Sequence, residues 1–318
     1  MITTEQLNEA REIVYASMQP TLQTPWPLLK EQLGVEVWVK HENHTPTGAF
    51  KVRGGLVLMA RRQQAGLTNG IISATRGNHG QSLPFAARQF DIPVTIVVPK
   101  GNSVEKNKAM QALGADLIEK GDDFNEAFDH AVELSKQRQL DLIGSFIPEL
   151  VQGVSTYGAE LFEAAGELDT VYVPVGMGSG ICSLIGVRDL LGLKTKIVGV
   201  VSRNANAYAL SFKAGEAIAT NSADTFADGM AVRIPHPEAL DIILKGAERI
   251  VEVSDEQIAA AMRLYFTHSH NIAEGAGAAA LAGLIAERQR LQGKRAGVIL
   301  TGGNIDMDLY QKVLNKEI

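Results

Sequence analysis

A single cysteine, Cys182, occurs in 318 residues. No internal disulfide can form, a reducing compartment fits, and the apolar run around this thiol makes it a buried, inert one rather than a nucleophile. Long hydrophobic runs are also missing: the longest, Ala276 to Ala286, falls short of the roughly 18–20 residues needed to span a bilayer. Basic charge is not in excess. Thirty lysines and arginines stand against 36 aspartates and glutamates, a formal charge of −6 with no basic block, which argues against a nucleic-acid partner. The first residues, Met1-Ile2-Thr3-Thr4-Glu5-Gln6, lack the basic start and apolar core of a secretory leader, so a cytoplasmic protein without membrane association is expected. Internal repeats, low-complexity tracts and Gly/Ser linkers are absent as well.

What remains is an ordinary globular composition, 45% hydrophobic and 21% charged, in a chain whose length suits about two domains. After a helix at 4–18, Pro20, Pro25 and Pro27 break the pattern. Strands at 71–73, 94–98, 116–119 and 140–143 then alternate with helices at 78–89, 103–113 and 125–137. A second series follows, with strands at 170–175, 196–201, 249–253 and 296–300, a less regular stretch around Ala227-Asp228-Gly229, and a capping box, Ser254 to Gln257, opening a late helix. Strands separated by helices mean an α/β fold of open, mainly parallel twisted sheets with helices on both faces.

Lys51 stands out in the stretch Lys40-His41-Glu42-Asn43-His44-Thr45-Pro46-Thr47-Gly48-Ala49-Phe50-Lys51-Val52-Arg53-Gly54. It opens a helix-like run to about Gln64, and a helix N-terminus is a poor place for positive charge. A lysine whose pKa is lowered by its surroundings is a nucleophile for Schiff-base chemistry; a solvated surface lysine is the bland reading of the same residue.

Three glycine clusters each follow a strand, where open α/β sheets place their ligand crevices. In Ser73-Ala74-Thr75-Arg76-Gly77-Asn78-His79-Gly80, hydroxyls and backbone donors at a helix start make a carboxylate nest, and the Asn78 amide suits a phenolic oxygen. His79 taken alone reads as a structural hydrogen-bonder. In Gly176-Met177-Gly178-Ser179-Gly180, backbone N–H groups can close on a phosphate. A dinucleotide fingerprint fails there, because Ile181 or Ser183 stands where the third glycine belongs. In Thr301-Gly302-Gly303-Asn304, a hydroxyl can meet a heterocyclic nitrogen without carrying charge. Each loop by itself is also consistent with a plain turn.

Together and in order, these motifs, with Gln152-Gly153-Val154-Ser155-Thr156 and Ala227-Asp228-Gly229, resemble the fold-type II enzymes that use pyridoxal 5′-phosphate, nearest the serine/threonine dehydratase and serine racemase branch. The resemblance runs from about Thr24 to Asn304. It implies a tryptophan synthase β-like fold, with residues 1–48 and 148–318 as a large cofactor domain and 49–147 as a small mobile domain, usually in a homodimer. It implies that Lys51 carries the cofactor and removes the substrate α-proton, with Phe50 beside the ring. Asn78 would hold the ring oxygen, Gly176, Met177, Gly178, Ser179 and Gly180 the phosphate, and Thr301 the ring nitrogen. Thr75, Asn78 and His79 would take the carboxylate of an amino-acid substrate. A neutral ring-nitrogen partner favours prompt loss of a β-hydroxyl, hence an ammonia-lyase acting on threonine or serine.

Three departures qualify that expectation. Arg76 occupies the place of the serine that serves racemases as a second acid/base, and a guanidinium is a poor proton shuttle; it suits instead a second acidic group, as in 3-hydroxyaspartate. Val201 and Ala207 stand where relatives carry divalent-ion ligands, so no metal site is expected. The phosphate loop reads Gly-Met-Gly-Ser-Gly in place of four successive glycines, nearer to cysteine-synthase-like relatives. The chain stops soon after Asn304, without room for a regulatory domain, and isoleucine feedback is not expected. A β-replacement enzyme and a non-enzymatic phosphate-ligand binder are the alternatives.

Overall fold

The computed structural model describes residues 2–318. The chain opens with α1 (Thr4–Tyr15), started by a capping box between Thr3 and Gln6. β1 (Gln23–Pro25), α2 (Pro27–Leu33), β2 (Glu36–His41) and α3 (Lys51–Gln64) follow. Next come β3 (Ile71–Ala74), α4 (Asn78–Ala87), β4 (Val94–Val98), α5 (Val104–Ala112), β5 (Asp116–Glu119), α6 (Phe124–Arg138) and β6 (Asp141–Leu142). The remainder is α7 (Pro148–Ala165), β7 (Thr170–Pro174), α8 (Ser179–Leu190), β8 (Lys196–Ser202), α9 (Ala207–Ala214), α10 (Pro237–Gly246), β9 (Arg249–Val253), α11 (Asp255–Ser269), α12 (Gly275–Ala286), β10 (Arg295–Leu300) and α13 (Met307–Leu314). No helix among the described residues is long and apolar enough to cross a membrane.

Two sheets result. One has six strands in the order β1-β2-β10-β7-β8-β9, and the other four in the order β5-β4-β3-β6. β1 and β2 pair antiparallel, and the other pairs are parallel. β2 lies along β10, from Glu36 opposite Arg295 to His41 opposite Leu300, so the segment leading to Lys51 joins the far end of the chain. The α1 helix contributes to both cores: Leu7 packs with the group under β7, while Ala10 and Val14 pack with Val52, Leu56 and Ile71.

Two elements missed in the sequence, α2 and α10, begin at prolines. Pro27 and Pro237 occupy the first turns of α2 and α10, positions where a missing N–H costs nothing. Pro25 sits in β1 at the sheet edge, where no ladder donor is needed. A proline that reads as a break is here a start.

The α3 helix is held hard against α7. A Cβ on Gly153 would lie 2.2 Å from the carbonyl oxygen of Arg53, and one on Gly54 2.8 Å from that of Leu150, so the helix backbones touch where only glycine fits. Beside this crossing lies a buried set of four charges. Arg53 Nε donates to Glu42 at 2.7 Å, Nη1 donates to Glu160 at 2.5 Å, and Lys40 also donates to Glu160. Thr21 Oγ1 donates to Glu42 at 2.6 Å, and Tyr15 OH to Glu160 at 2.8 Å. Two cations therefore face two carboxylates with the remaining lone pairs occupied, the condition under which buried charge is tolerated.

Candidate active site

Lys51 opens α3, directly after Phe50, and its Nζ donates to Ser179 Oγ at 2.9 Å. The amine lies 4.9 Å from the centre of the Phe50 ring, which meets Tyr157 edge-on. Burial pushes the amine down to about 8, so at pH 7 about a tenth of it is unprotonated, far more than for an ordinary lysine. In the cofactor-free protein, labelling of Lys51 by a small amine-modifying reagent is expected to rise with pH through a midpoint near 8, read by peptide mass spectrometry. A midpoint at the ordinary lysine value of about 10.4 would contradict the burial.

Ser179 and Gly180 begin α8, whose first turn has no side-chain cap. Its N–H donors and the positive end of the helix dipole are therefore available to an anion. Gly178, just before it, has φ +104°, and a Cβ there would lie 2.6 Å from Cβ of Ala239. Met177 turns its carbonyl to the Tyr208 hydroxyl, 3.1 Å away, so its contribution to the loop is backbone shape.

The loop after β3 is shaped by Thr75, whose Oγ1 accepts from the Gly77 N–H at 3.3 Å. The Asn78 amide is oriented from both ends: Asn304 Nδ2 donates to its Oδ1 at 2.9 Å, and its Nδ2 donates to Glu274 Oε1 at 2.6 Å. His79 corrects the expectation of a structural hydrogen-bonder. It is buried, neither ring nitrogen has a partner, and burial, followed by the charge of Lys51, pushes it down to about 3. It is a neutral imidazole with two unused hydrogen-bonding atoms on the cavity wall.

Phe50, Lys51, Thr75, Arg76, Asn78, His79, the loop Gly176–Gly180 and Thr301 all line one cavity of about 640 Å³. The structure thus brings every residue for which the sequence suggested a cofactor or substrate contact to one place. It adds Lys106 and Glu274, which were missed, and Asp228, which the sequence offered only as part of the Ala227-Asp228-Gly229 motif and without a role. Glu274 directly precedes the apolar α12, where a sequence reading sees only a helix-start carboxylate, and Lys106 lies inside an unremarkable helix. Val201 and Ala207 are buried and apolar, and among the described residues no cluster of three or more His, Cys, Asp or Glu could hold a metal.

Comparison with known proteins gives the cavity a context. The sequence profile of the family described as "Pyridoxal-phosphate dependent enzyme" matches residues 17–302. An L-threonine ammonia-lyase of Thermotoga maritima is 31% identical over 99% of this chain and 79% of its own length. Among solved structures, threonine deaminase isoform 2 of Solanum lycopersicum superposes with a TM-score of 0.90 at 28% identity, covering 99% of this chain and 94% of that one. Maize serine racemase superposes with a TM-score of 0.92 over 99% and 97%, and at 22% identity it speaks to the fold alone.

The residues present fit pyridoxal phosphate. An uncapped helix start behind Gly178 suits its phosphate, an amine of lowered basicity its carbonyl, and the amide of Asn78 its ring oxygen.

Proposed function

We propose, from the premise that this chain belongs to the pyridoxal-phosphate dependent enzymes, that it is an ammonia-lyase of the dehydratase kind, converting threonine or serine to a 2-oxo acid and ammonia. One observation carries the reading: Lys51, with its amine lowered to about 8, faces an anion-ready helix start and a polar loop across a single cavity. The ammonia-lyase and deaminase relatives support it.

Pyridoxal phosphate, when bound, supplies the electron sink for bond breaking at the substrate α-carbon. The loop Gly176–Gly180 and the start of α8 hold its phosphate. Lys51 anchors it, and the freed Nζ, beside Ser179 Oγ, accepts the α-proton. Thr301 offers the ring nitrogen a neutral partner, and Asn78 steadies the ring oxygen. Thr75, Asn78 and His79 receive the substrate carboxylate; a neutral His79 can donate one hydrogen bond there without competing for the α-proton. The β-hydroxyl would leave as water with the proton held on Lys51 Nζ, and the released enamine would tautomerise to an imine that water hydrolyses to the 2-oxo acid and ammonia. Residues 49–147 form the smaller unit that closes over the substrate, with 1–48 and 148–318 as the larger.

Arg76 favours a second reading within the same chemistry, a β-hydroxy amino acid with an additional carboxylate such as 3-hydroxyaspartate. It is an exposed guanidinium on the cavity wall. A 2-oxo-acid assay across serine, threonine and 3-hydroxyaspartate tests both readings. On the second, Arg76→Ser lowers kcat/KM for 3-hydroxyaspartate relative to serine by about 10-fold, the worth of a charge-assisted contact; an unchanged ratio removes Arg76 as an anchor. Incorporation of an added thiol into product would instead indicate β-replacement. A cytoplasmic homodimer accompanies the proposal. The lone Cys182 supports the compartment, and exposed Leu28 on α2, Phe266 on α11 and Met307 on α13, with α2 and α13 each packed on α11, support the assembly.

A further inference from the structure

Three charged groups in the cavity have no part in the proposed chemistry. Glu274 precedes α12, makes no cap with its own side chain, and is 2% exposed. Its Oε1 accepts from Asn78, while its Oε2 has no hydrogen-bond partner. Lys106 Nζ lies 3.6 Å from that oxygen and donates to Asp228 Oδ2 at 2.6 Å. Glu274 and Asp228 belong to the six-stranded unit; Lys106 comes from α5, in the four-stranded unit. The same helix is tied across the gap by Ser103 donating to Asp306 and by the Met307 N–H donating to Glu105 at 3.0 Å.

We propose that Glu274 is a positioning residue that holds a proton at Oε2, and that Lys106, carried in on α5, governs that proton by its distance. The inference rests on the reading of Asn78 as the holder of the cofactor ring oxygen, because Glu274 accepts from the Asn78 amide and, with Asn304, orients it.

The physical basis is charge balance. One ammonium is shared by two carboxylates, so the trio carries a net negative charge while Glu274 is ionised and none once it is protonated. Burial favours the neutral arrangement. Burial, opposed by Lys106 and reinforced by Asp228, pushes the Glu274 carboxyl up to about 7. Arg76 and His79, on the loop of Asn78, and Asp123 line the same cavity; α12 is built of Gly, Ala, Leu and Ile, and the loop 301–304 reads Thr-Gly-Gly-Asn. Asn78 meets Glu274 as a neutral donor, and Lys51 lines the same cavity without a contact to it. When α5 is docked, Lys106 favours the carboxylate, a strong acceptor for Asn78. When α5 withdraws, Glu274 takes a proton from solvent at Oε2 and its hold on Asn78 weakens. Docking of the smaller unit is thereby coupled to the polarity of the group that grips the ring oxygen.

Infrared difference titration of the full chain tests this, with and without bound pyridoxal phosphate. Ordinary carboxylates have finished titrating by neutral pH, so a protonated-carboxyl band lost between wild type and Glu274→Gln near pH 7 reports this group. Lys106→Met is expected to move the band's midpoint up by roughly 1–3 pH units, and Asp228→Asn to move it down, because Lys106 then serves Glu274 alone. Opposite shifts are what a merely structural role would not produce. Should Lys106→Met fail to fold, the near-isosteric Asp228→Asn gives the sign by itself. An unchanged band in Glu274→Gln, or a midpoint that Asp228→Asn leaves in place or raises, overturns the proposal. Failure to bind pyridoxal phosphate would defeat the reading of Asn78 and leave the titration of the cofactor-free chain still meaningful.

Discussion

Lys51→Ala is expected to lower turnover by at least about 10⁴-fold, the upper range for removing a general base, or about 5.5 kcal/mol in the barrier. On the proposed reading two functions end together: the covalent anchor and the acceptor for the α-proton. The fold should survive, since the amine's one hydrogen bond is to Ser179 and removing a buried cation relieves desolvation. Lys51→Arg should be equally inactive, because a guanidinium does not deprotonate in the working range. Steady-state turnover, together with the mass of the borohydride-treated protein, separates the two functions. Residual activity above about one hundredth of wild type, on the same scale of base catalysis, would mean that another group takes the proton.

The second large effect concerns stability. Glu160→Ala is expected to cost about 3–5 kcal/mol in urea unfolding, the range for breaking a buried charge pair by removing one partner. Glu160 accepts from Lys40, Arg53, Tyr15 and the backbone N–H of Thr21. Its loss leaves two buried cations facing Glu42 alone. Burial works against the Glu160 carboxylate, but Arg53 and Lys40 win and hold it below the ordinary glutamate value. A depressed carboxylate stabilises fully above its unfolded-state value, and that contribution disappears as pH falls through the lower folded value. The difference between wild type and variant should therefore shrink in acid. A cost below about 1 kcal/mol, the level of an exposed pair, would show that the four charges are not energetically coupled.

The cluster also explains why the segment before Lys51 carries so many polar residues. Lys40, Glu42 and Arg53 look in the sequence like neighbours of a catalytic lysine. In the structure they face away from the cavity and bind β2, α3 and α7 to one another. The same motif therefore holds two kinds of residue: Phe50 and Lys51 line the site, while Arg53, two positions on, helps fix the helix that presents them.

Much of the fold was legible because its causes are local. The apolar run at Val94–Val98, the alternating strand at Arg249–Val253, the capping box at Ser254 and the helix opened by Lys51 depend on near neighbours, and the structure reproduces them. The elements misread, β1, α2, α9 and α10, are short and lie in stretches where proline or irregular composition hid them. The loops at Thr75–His79, Gly176–Gly180 and Thr301 were legible for the same local reason, each being a continuous run after a strand.

The sequence by itself determined the strands, the helix that Lys51 opens and the continuous loops that line the cavity. Only the tertiary structure decided what surrounds them. Asn78 and Glu274, Lys106 and Asp228, and Lys40 and Glu160 stand 196, 122 and 120 positions apart, and no periodicity or spacing connects them. Their partnerships, the empty valences of His79 and the lowered basicity of Lys51 arise from burial and through-space charge. Those exist only once two sheets close around one cavity.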